Sequence, residues 1–209
     1  MNTLLLPQTD PATLPAAVDI INAGGVVAFP TDTIYGIGVM ADSTKAIDRL
    51  YQIKGRSFDK PIPVMIGRMD QLGLIVGLVP QAARRLAEMF WPGPLTLVLP
   101  KKPDLPVNLT PLPTVGIRIP NHEFTLALLC RCGPLAVTSA NLSGRSEALN
   151  ALEVMDQLGG CLELIVDGGN SPGGIASTVV DLSGSRPRIL RKGPITEKMI
   201  EQALKDPVA

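Results

Sequence analysis

Residues Val26–Ala41 read VVAFPTDTIYGIGVMA, and the fold turns on whether the two glycines of this stretch serve a nucleotide or a strand. The letters GIGVMA, Gly36 to Ala41, satisfy the pattern G-x-G-x-x-G/A. In a dinucleotide-binding unit, however, those glycines fill the turn directly after a strand and open a helix. Here the apolar run Val26–Phe29 is followed by PTDTIY before Gly36 is reached, and IGVMA has the apolar character of an extended segment. The stretch therefore reads as strand, polar loop, strand, with strand and turn glycines.

Working outward, LPAAVDIINAGG has helical periodicity and closes at Gly24 and Gly25. On the other side, DSTKAIDRLYQIKG predicts a helix with Asp42 or Ser43 as N-cap and Gly55 as its stop, followed by the loop RSFDKP and the strand IPVMIG. Short helices are expected near Met69–Leu74 and at Gln81–Phe90, strands at LTLVLP and VGIRIP, and a helix at HEFTLALLCRC. The strand PLAVT leads into the loop SANLSGRSEAL and a helix over Ala151–Leu158; LELIVD, STVVDL and RILR read as strands, and Thr196–Leu204 as the last helix. Strands mixed with helices of modest length predict an α/β fold, a mixed sheet flanked by helices with antiparallel hairpins near the end. One domain is expected over residues 1–209, with its core at about 12–195.

Composition narrows the chemistry. Nineteen Lys plus Arg balance nineteen Asp plus Glu, which argues against a general coat for nucleic acid, since sequence-independent binding is driven by many cationic contacts. The opening MNTLLLPQTDPATLP has no basic leader and too short an apolar run to cross a bilayer, so a cytoplasmic protein with no membrane association is expected. Cys130, Cys132 and Cys161 lack paired metal spacing and read as reduced thiols. The single histidine, His122, rules out a histidine-rich metal site and reads as a surface or capping residue. There is neither a G-x-S-x-G elbow nor a G-x-x-x-x-G-K-[ST] loop.

Several polar segments stand at the ends of predicted strands, where open α/β sheets hold ligands. PTDTIYG offers Thr31, Asp32, Thr33 and Tyr35, either as a self-satisfied turn or as a ligand loop. IKGRSFDKP crowds Lys54, Arg56 and Lys60 into seven residues. Lys54 suits the negative end of its helix dipole, but Arg56 and Lys60 lie beyond the helix stop and repel unless water or an anion screens them. Arg118, between Ile117 and Ile119, faces solvent or a cleft. AVTSANLSG brings Thr138, Ser139, Asn141 and Ser143, and the last third adds Ser177, Thr178, Arg188, Arg191 and Lys192. Hydroxyl-rich loops with cations suit a phosphorylated, anionic ligand and catalysis by positioning and charge neutralisation, usually with Mg²⁺.

The blocks FPTDTIYGIG, KGRSFDKPI, WPGPLTLVL, TVGIRIP, SANLSG, STVVDL and ILRKG, in this order from Phe29 to Gly193, closely resemble the threonylcarbamoyl-AMP synthases of the YrdC-like family in its short, single-domain form. The resemblance implies an open twisted sheet around a deep positively charged cleft. It also implies formation of threonylcarbamoyl-AMP and pyrophosphate from L-threonine, bicarbonate or CO₂ and ATP. A downstream transferase protein would then carry the threonylcarbamoyl group to a tRNA adenosine beside the anticodon, leaving direct contact with tRNA weak at most. By the same resemblance Lys54, Arg56, Lys60, Ser139, Asn141 and Arg191 serve ATP, with Lys54 and Arg56 also catalytic, while Thr33, Arg118 and Ser177 serve threonine. Thr31, Tyr35 and Thr138 are additional candidates, and the metal ligands are left open. Ser57 and Met65 depart from the residues many or some members carry there. The competing readings are a carbamoyl-transfer module and a non-catalytic RNA-binding protein.

Overall fold

Gly36 and Gly38 lie inside a strand. In the computed structural model, which describes residues 2–205, β2 (Val27–Phe29) pairs antiparallel with β3 (Gly36–Met40). A Cβ on Gly36 would stand 3.0 Å from Val137 Cγ1, and one on Gly38 would stand 2.9 Å from Phe29 Cε1. These glycines let neighbouring side chains lie over the strand, so their role is packing.

The remaining elements follow the sequence pattern closely. They are α1 (Thr13–Asn22), α2 (Thr44–Lys54), β4 (Val64–Met65), a 3₁₀ turn at Met69–Gln71, α3 (Leu72–Ile75), α4 (Gln81–Phe90), β5 (Leu95–Pro100), β6 (Thr114–Arg118) and α5 (Glu123–Cys132). Then come β7 (Leu135–Ser139), α6 (Ala151–Leu158), β8 (Leu164–Asp167), β9 (Thr178–Asp181), β10 (Arg188–Arg191) and α7 (Glu197–Lys205). Ser43 caps α2 by accepting from the Ala46 N–H at 3.3 Å, and Gly55 ends it at φ 55°, a left-handed position that favours glycine. The sequence reading did not mark β1 (Leu4–Pro7), which pairs in parallel with β8 at the sheet margin. His122 holds the N-cap position of α5 but makes no side-chain capping bond.

All ten strands join one mixed sheet in the order β1-β8-β2-β3-β7-β4-β6-β5-β9-β10. Alternation along each strand divides its residues between two faces. One face, with Ala136, Val64, Ile117, Leu97 and Val180, packs on residues of α2, α4, α6 and α7 along its length. The other face, with Val27, Phe29, Leu135, Val137, Leu164 and Val166, is covered by Ala17 and Ile21 of α1 and by Phe124, Leu128 and Leu129 of α5. That second layer reaches only to Met65 on β4. Beyond it, the same face of β6, β5, β9 and β10 forms the wall of a cavity. Among the described residues no helix is long and apolar enough to cross a membrane, and Cys130, Cys132 and Cys161 are free thiols.

Candidate functional site

The cavity measures about 390 Å³, within the range of roughly 300–1,000 Å³ usual for small-molecule sites. Its floor is made of residues that strand alternation turns away from the core: Thr96 and Val98, Thr114, Gly116 and Arg118, Val179 and Asp181. Gly116 keeps this floor low, since a Cβ there would meet Thr96 Cγ2 at 3.1 Å and Pro63 Cβ at 3.3 Å. Four arginines, Arg56, Arg118, Arg188 and Arg191, line the space against one aspartate, Asp181.

At the inner end Arg118 is 4% exposed. Its Nε donates to the Gly93 carbonyl at 2.9 Å, its Nη1 to Thr33 Oγ1 at 2.9 Å, and its Nη2 to Asp32 Oδ1 at 2.5 Å. Thr31 Oγ1 donates to the Ile34 carbonyl at 2.7 Å and lies 3.0 Å from Thr33 Oγ1. With its own hydrogen so placed, Thr31 can only accept from Thr33, and Thr33 then offers its lone pairs to Arg118. The PTDT loop is thus both a self-satisfied turn and a wall of the site. Tyr35 is fully engaged elsewhere: its hydroxyl donates to the Gly169 carbonyl at 2.9 Å and accepts from the Gly168 N–H at 3.0 Å. Burial pushes that phenol up to about 12, so Tyr35 pins the loop after β8 rather than moving protons.

Beside Arg118 runs a chain of hydroxyls. Ser177 Oγ lies 2.8 Å from Thr96 Oγ1 and accepts from Arg191 Nη2 at 3.0 Å, while Arg191 Nε donates to the Ser177 carbonyl at 2.9 Å. Whichever hydroxyl of the Thr96–Ser177 pair donates to the other, one O–H is left without an acceptor among the described residues. Burial, reinforced by the nearby charge of Arg118 and opposed by Glu147, draws the Arg191 guanidinium below its ordinary value.

At the outer end Arg56 folds over its own loop, donating from Nε to the Lys60 carbonyl at 3.2 Å and from Nη2 to the Pro61 carbonyl at 3.1 Å. Thr138 and Ser139 also line the cavity. Lys54 does not line the cavity. It is 2% exposed, and its ammonium donates to the carbonyls of Ser139 and Asn141, the latter at 2.5 Å. The Ser143 N–H returns a bond to the Lys54 carbonyl at 3.0 Å. The crowded cations of the loop therefore separate: Lys54 ties α2 to the end of β7, Arg56 faces the cavity, and Lys60 stands exposed outside the lining. Asn141 donates twice, to the Leu142 and Arg145 carbonyls at 2.9 Å, yet its buried Oδ1 has no partner among the described residues.

Alternation in LTLVL already turns Thr96 away from Leu95 and Leu97, a signal the sequence reading passed over; Thr114 and Asp181 went unmarked in the same way. In the sequence Asp32 reads only as a loop residue, because its partner Arg118 lies 86 positions away. No group of three His, Cys, Asp or Glu able to hold a metal stands among the described residues.

Comparison with known proteins agrees with this architecture. The Sua5/YciO/YrdC family profile, described as "Telomere recombination", matches residues 19–193. A threonylcarbamoyl-AMP synthase of Bacillus subtilis is 42% identical over 202 residues, covering 95% of this chain and 58% of that protein. One of Rattus norvegicus is 44% identical over 178 residues, covering 81% and 62%. The crystal structure of Pyrococcus abyssi Sua5 complexed with L-threonine superposes with a TM-score of 0.93 at 37% identity, covering 98% of this chain and 61% of that one. The chain thus spans less than two thirds of the length of these relatives.

Proposed function

Since the chain belongs to the Sua5/YciO/YrdC family, we propose that it is an L-threonylcarbamoyladenylate synthase, an enzyme that joins L-threonine, bicarbonate or CO₂ and ATP. The observation that carries this reading is the gathering in one cavity of a buried arginine fixed on β6, Arg118, with Arg191 at the end of β10 and Arg56 on the loop after α2. Such a gathering suits one small amino acid and one polyphosphate held side by side.

In this reading Arg118, oriented by Thr33, takes the threonine carboxylate, which the fork geometry of a guanidinium suits. The spare O–H of the Thr96–Ser177 pair offers a donor to the same ligand. Arg56, Arg191 and Ser139 face the nucleotide, with Lys54 acting from behind by fixing the Ser139–Asn141 backbone. The threonine amine and bicarbonate condense to a carbamate with loss of water. A carbamate oxygen then attacks the α-phosphorus, and pyrophosphate leaves as Arg56 and Arg191 neutralise its growing charge. Binding both reactants in one cavity supplies the orientation that this displacement needs.

Mg²⁺ fits as an ion carried mainly by phosphate oxygens and water, as its chemistry favours. The product would pass to a transferase that modifies tRNA in the cytoplasm. Incubation with ATP, bicarbonate and L-threonine is expected to release pyrophosphate only when all three are present. Release independent of threonine would overturn the proposal.

A further inference from the structure

The cavity's arginines differ in what holds them. Arg56 is held by two neutral carbonyls and Arg191 by a neutral carbonyl and hydroxyl. Arg188 meets Asp181 at 3.2 Å, but with its side chain 72% exposed the pair is screened by water. Arg118 alone among the four has a carboxylate at close range in a dry setting: Asp32 Oδ1 lies 2.5 Å away, with the two side chains 5% and 11% exposed. Asp32 Oδ1 also accepts from the Asn121 N–H at 3.1 Å. Arg118 lines the cavity whereas Asp32 does not, so the carboxylate stands behind the guanidinium, where a ligand cannot displace it.

Arg118 and Arg191 are near enough for each charge to act on the other. A polyphosphate seated on Arg56 and Arg191 would therefore spread inward if Arg118 presented an uncompensated charge. Attraction scales with the ligand's charge. A carboxylate behind the guanidinium thus weakens binding of a polyanion severalfold more than binding of an amino acid zwitterion, whose own charges nearly cancel. Meanwhile Gly93, Thr33 and Asp32 fix the fork, which then recognises a planar carboxylate by shape.

We propose that Asp32 is a positioning residue that sorts the two substrates, cancelling the net charge of Arg118 while orienting its fork, so that the inner end accepts an amino acid carboxylate and turns polyphosphate away. The identity of the amino acid rests on the function proposed above; the exclusion of polyphosphate does not. Titration calorimetry with inorganic pyrophosphate and with L-threonine, in the absence of metal, tests both on the intact chain.

The native protein is expected to take one pyrophosphate, and its affinity for threonine to change less than about 2-fold when pyrophosphate is saturating. Asp32→Asn keeps an acceptor for Nη2 but removes the charge. It should admit a second pyrophosphate, and the two ligands should then compete, raising the apparent threonine Kd about 10-fold or more. Asp32→Glu keeps the charge but displaces the fork, so it should hold one pyrophosphate while binding threonine more weakly. Competition already present in the native protein would overturn the proposal. So would Asp32→Asn still binding one pyrophosphate without competition, or Asp32→Glu binding threonine as tightly as the native chain. Failure of the native chain to bind threonine would instead count against the synthase reading, with the pyrophosphate stoichiometry still judging the sorting role. If Asp32→Asn does not fold, the native competition and Asp32→Glu arms decide the outcome.

Discussion

Under α1 and α5 the sheet presents Val27, Phe29, Leu135 and Val137, and two helices lie on it. Past Met65 the same face presents Thr96, Thr114, Gly116 and Arg118, and it opens as a cavity. The pleat and the opposite face continue unchanged, with Leu95, Leu97, Val115 and Ile117 all buried in the main core. What differs is chiefly the alternate residues of β6, with Thr96 of β5, although Val98 and Val179 share the same floor. Branched and aromatic side chains recruit a helix, because burying them is favourable by about 25 cal/mol per Å². Hydroxyls, glycine and a paired arginine give no such return and leave room for a ligand.

The largest effect should separate these halves outright. Phe29 is fully buried, with its ring against Gly36 and Gly38, so Phe29→Ala should lower unfolding stability by about 3–5 kcal/mol, read from urea denaturation. Thr96→Val, on the open half, should cost only about 1–2 kcal/mol yet, in the reaction proposed above, raise the KM for threonine by removing the partner of Ser177. Equal losses of stability would break the distinction, showing the open half to be core as well.

The same contrast explains what could be read from sequence. Gln81–Phe90, Leu95–Pro100, Ala151–Leu158 and Arg188–Arg191 were bounded correctly, because apolar period and turn residues are local signals. β1 escaped notice since LLLP has no alternation and lies at an exposed sheet margin. The sequence leaves Arg118 between solvent and cleft, because the choice depends on Asp32 and Thr33, 86 and 85 positions away. Lys54 and Asn141 were paired through resemblance to a family, but nothing local shows that the ammonium grips backbone carbonyls across 85 and 87 positions. Strands are written in neighbours, whereas sites are written in distant pairs.

A second, smaller effect concerns how the rim of the open half is held. No apolar layer covers it; instead the buried Lys54 ammonium joins α2 to the end of β7. Burial, reinforced by Arg56 and opposed by Glu147, lowers its pKa from 10.5 to about 7. With the folded value depressed, the folded chain binds fewer protons than the unfolded chain between these limits. Stability from this group is therefore complete above pH 10.5 and is lost as pH falls toward 7. Between pH 7 and 9 the native protein should gain on the order of 2 kcal/mol relative to Lys54→Met, measured by urea denaturation at each pH. A flat difference would mean that the carbonyl acceptors hold the proton across the whole range.

The smallest effect lies at the mouth, where the site is carried by a loop instead of a strand. Phe58 is 55% exposed, yet its ring centroid lies 4.5 Å from that of Tyr51 at a 41° tilt. The Tyr51 hydroxyl donates to the Lys60 carbonyl at 3.0 Å, the same carbonyl that receives Arg56 Nε. One side of the loop is thus fixed by an aromatic contact and the other by the arginine that faces the cavity. Ring pairs of this kind contribute about 0.5–1.5 kcal/mol, and half-exposure places this one at the low end. Phe58→Ala should therefore move the denaturation midpoint only slightly, while loosening Arg56 and, in the reaction proposed above, raising the KM for ATP severalfold at unchanged KM for threonine. An equal rise in both constants would show that mouth and floor move as one body, because Arg118, anchored on β6 through Gly93, Thr33 and Asp32, shares no bond with this loop.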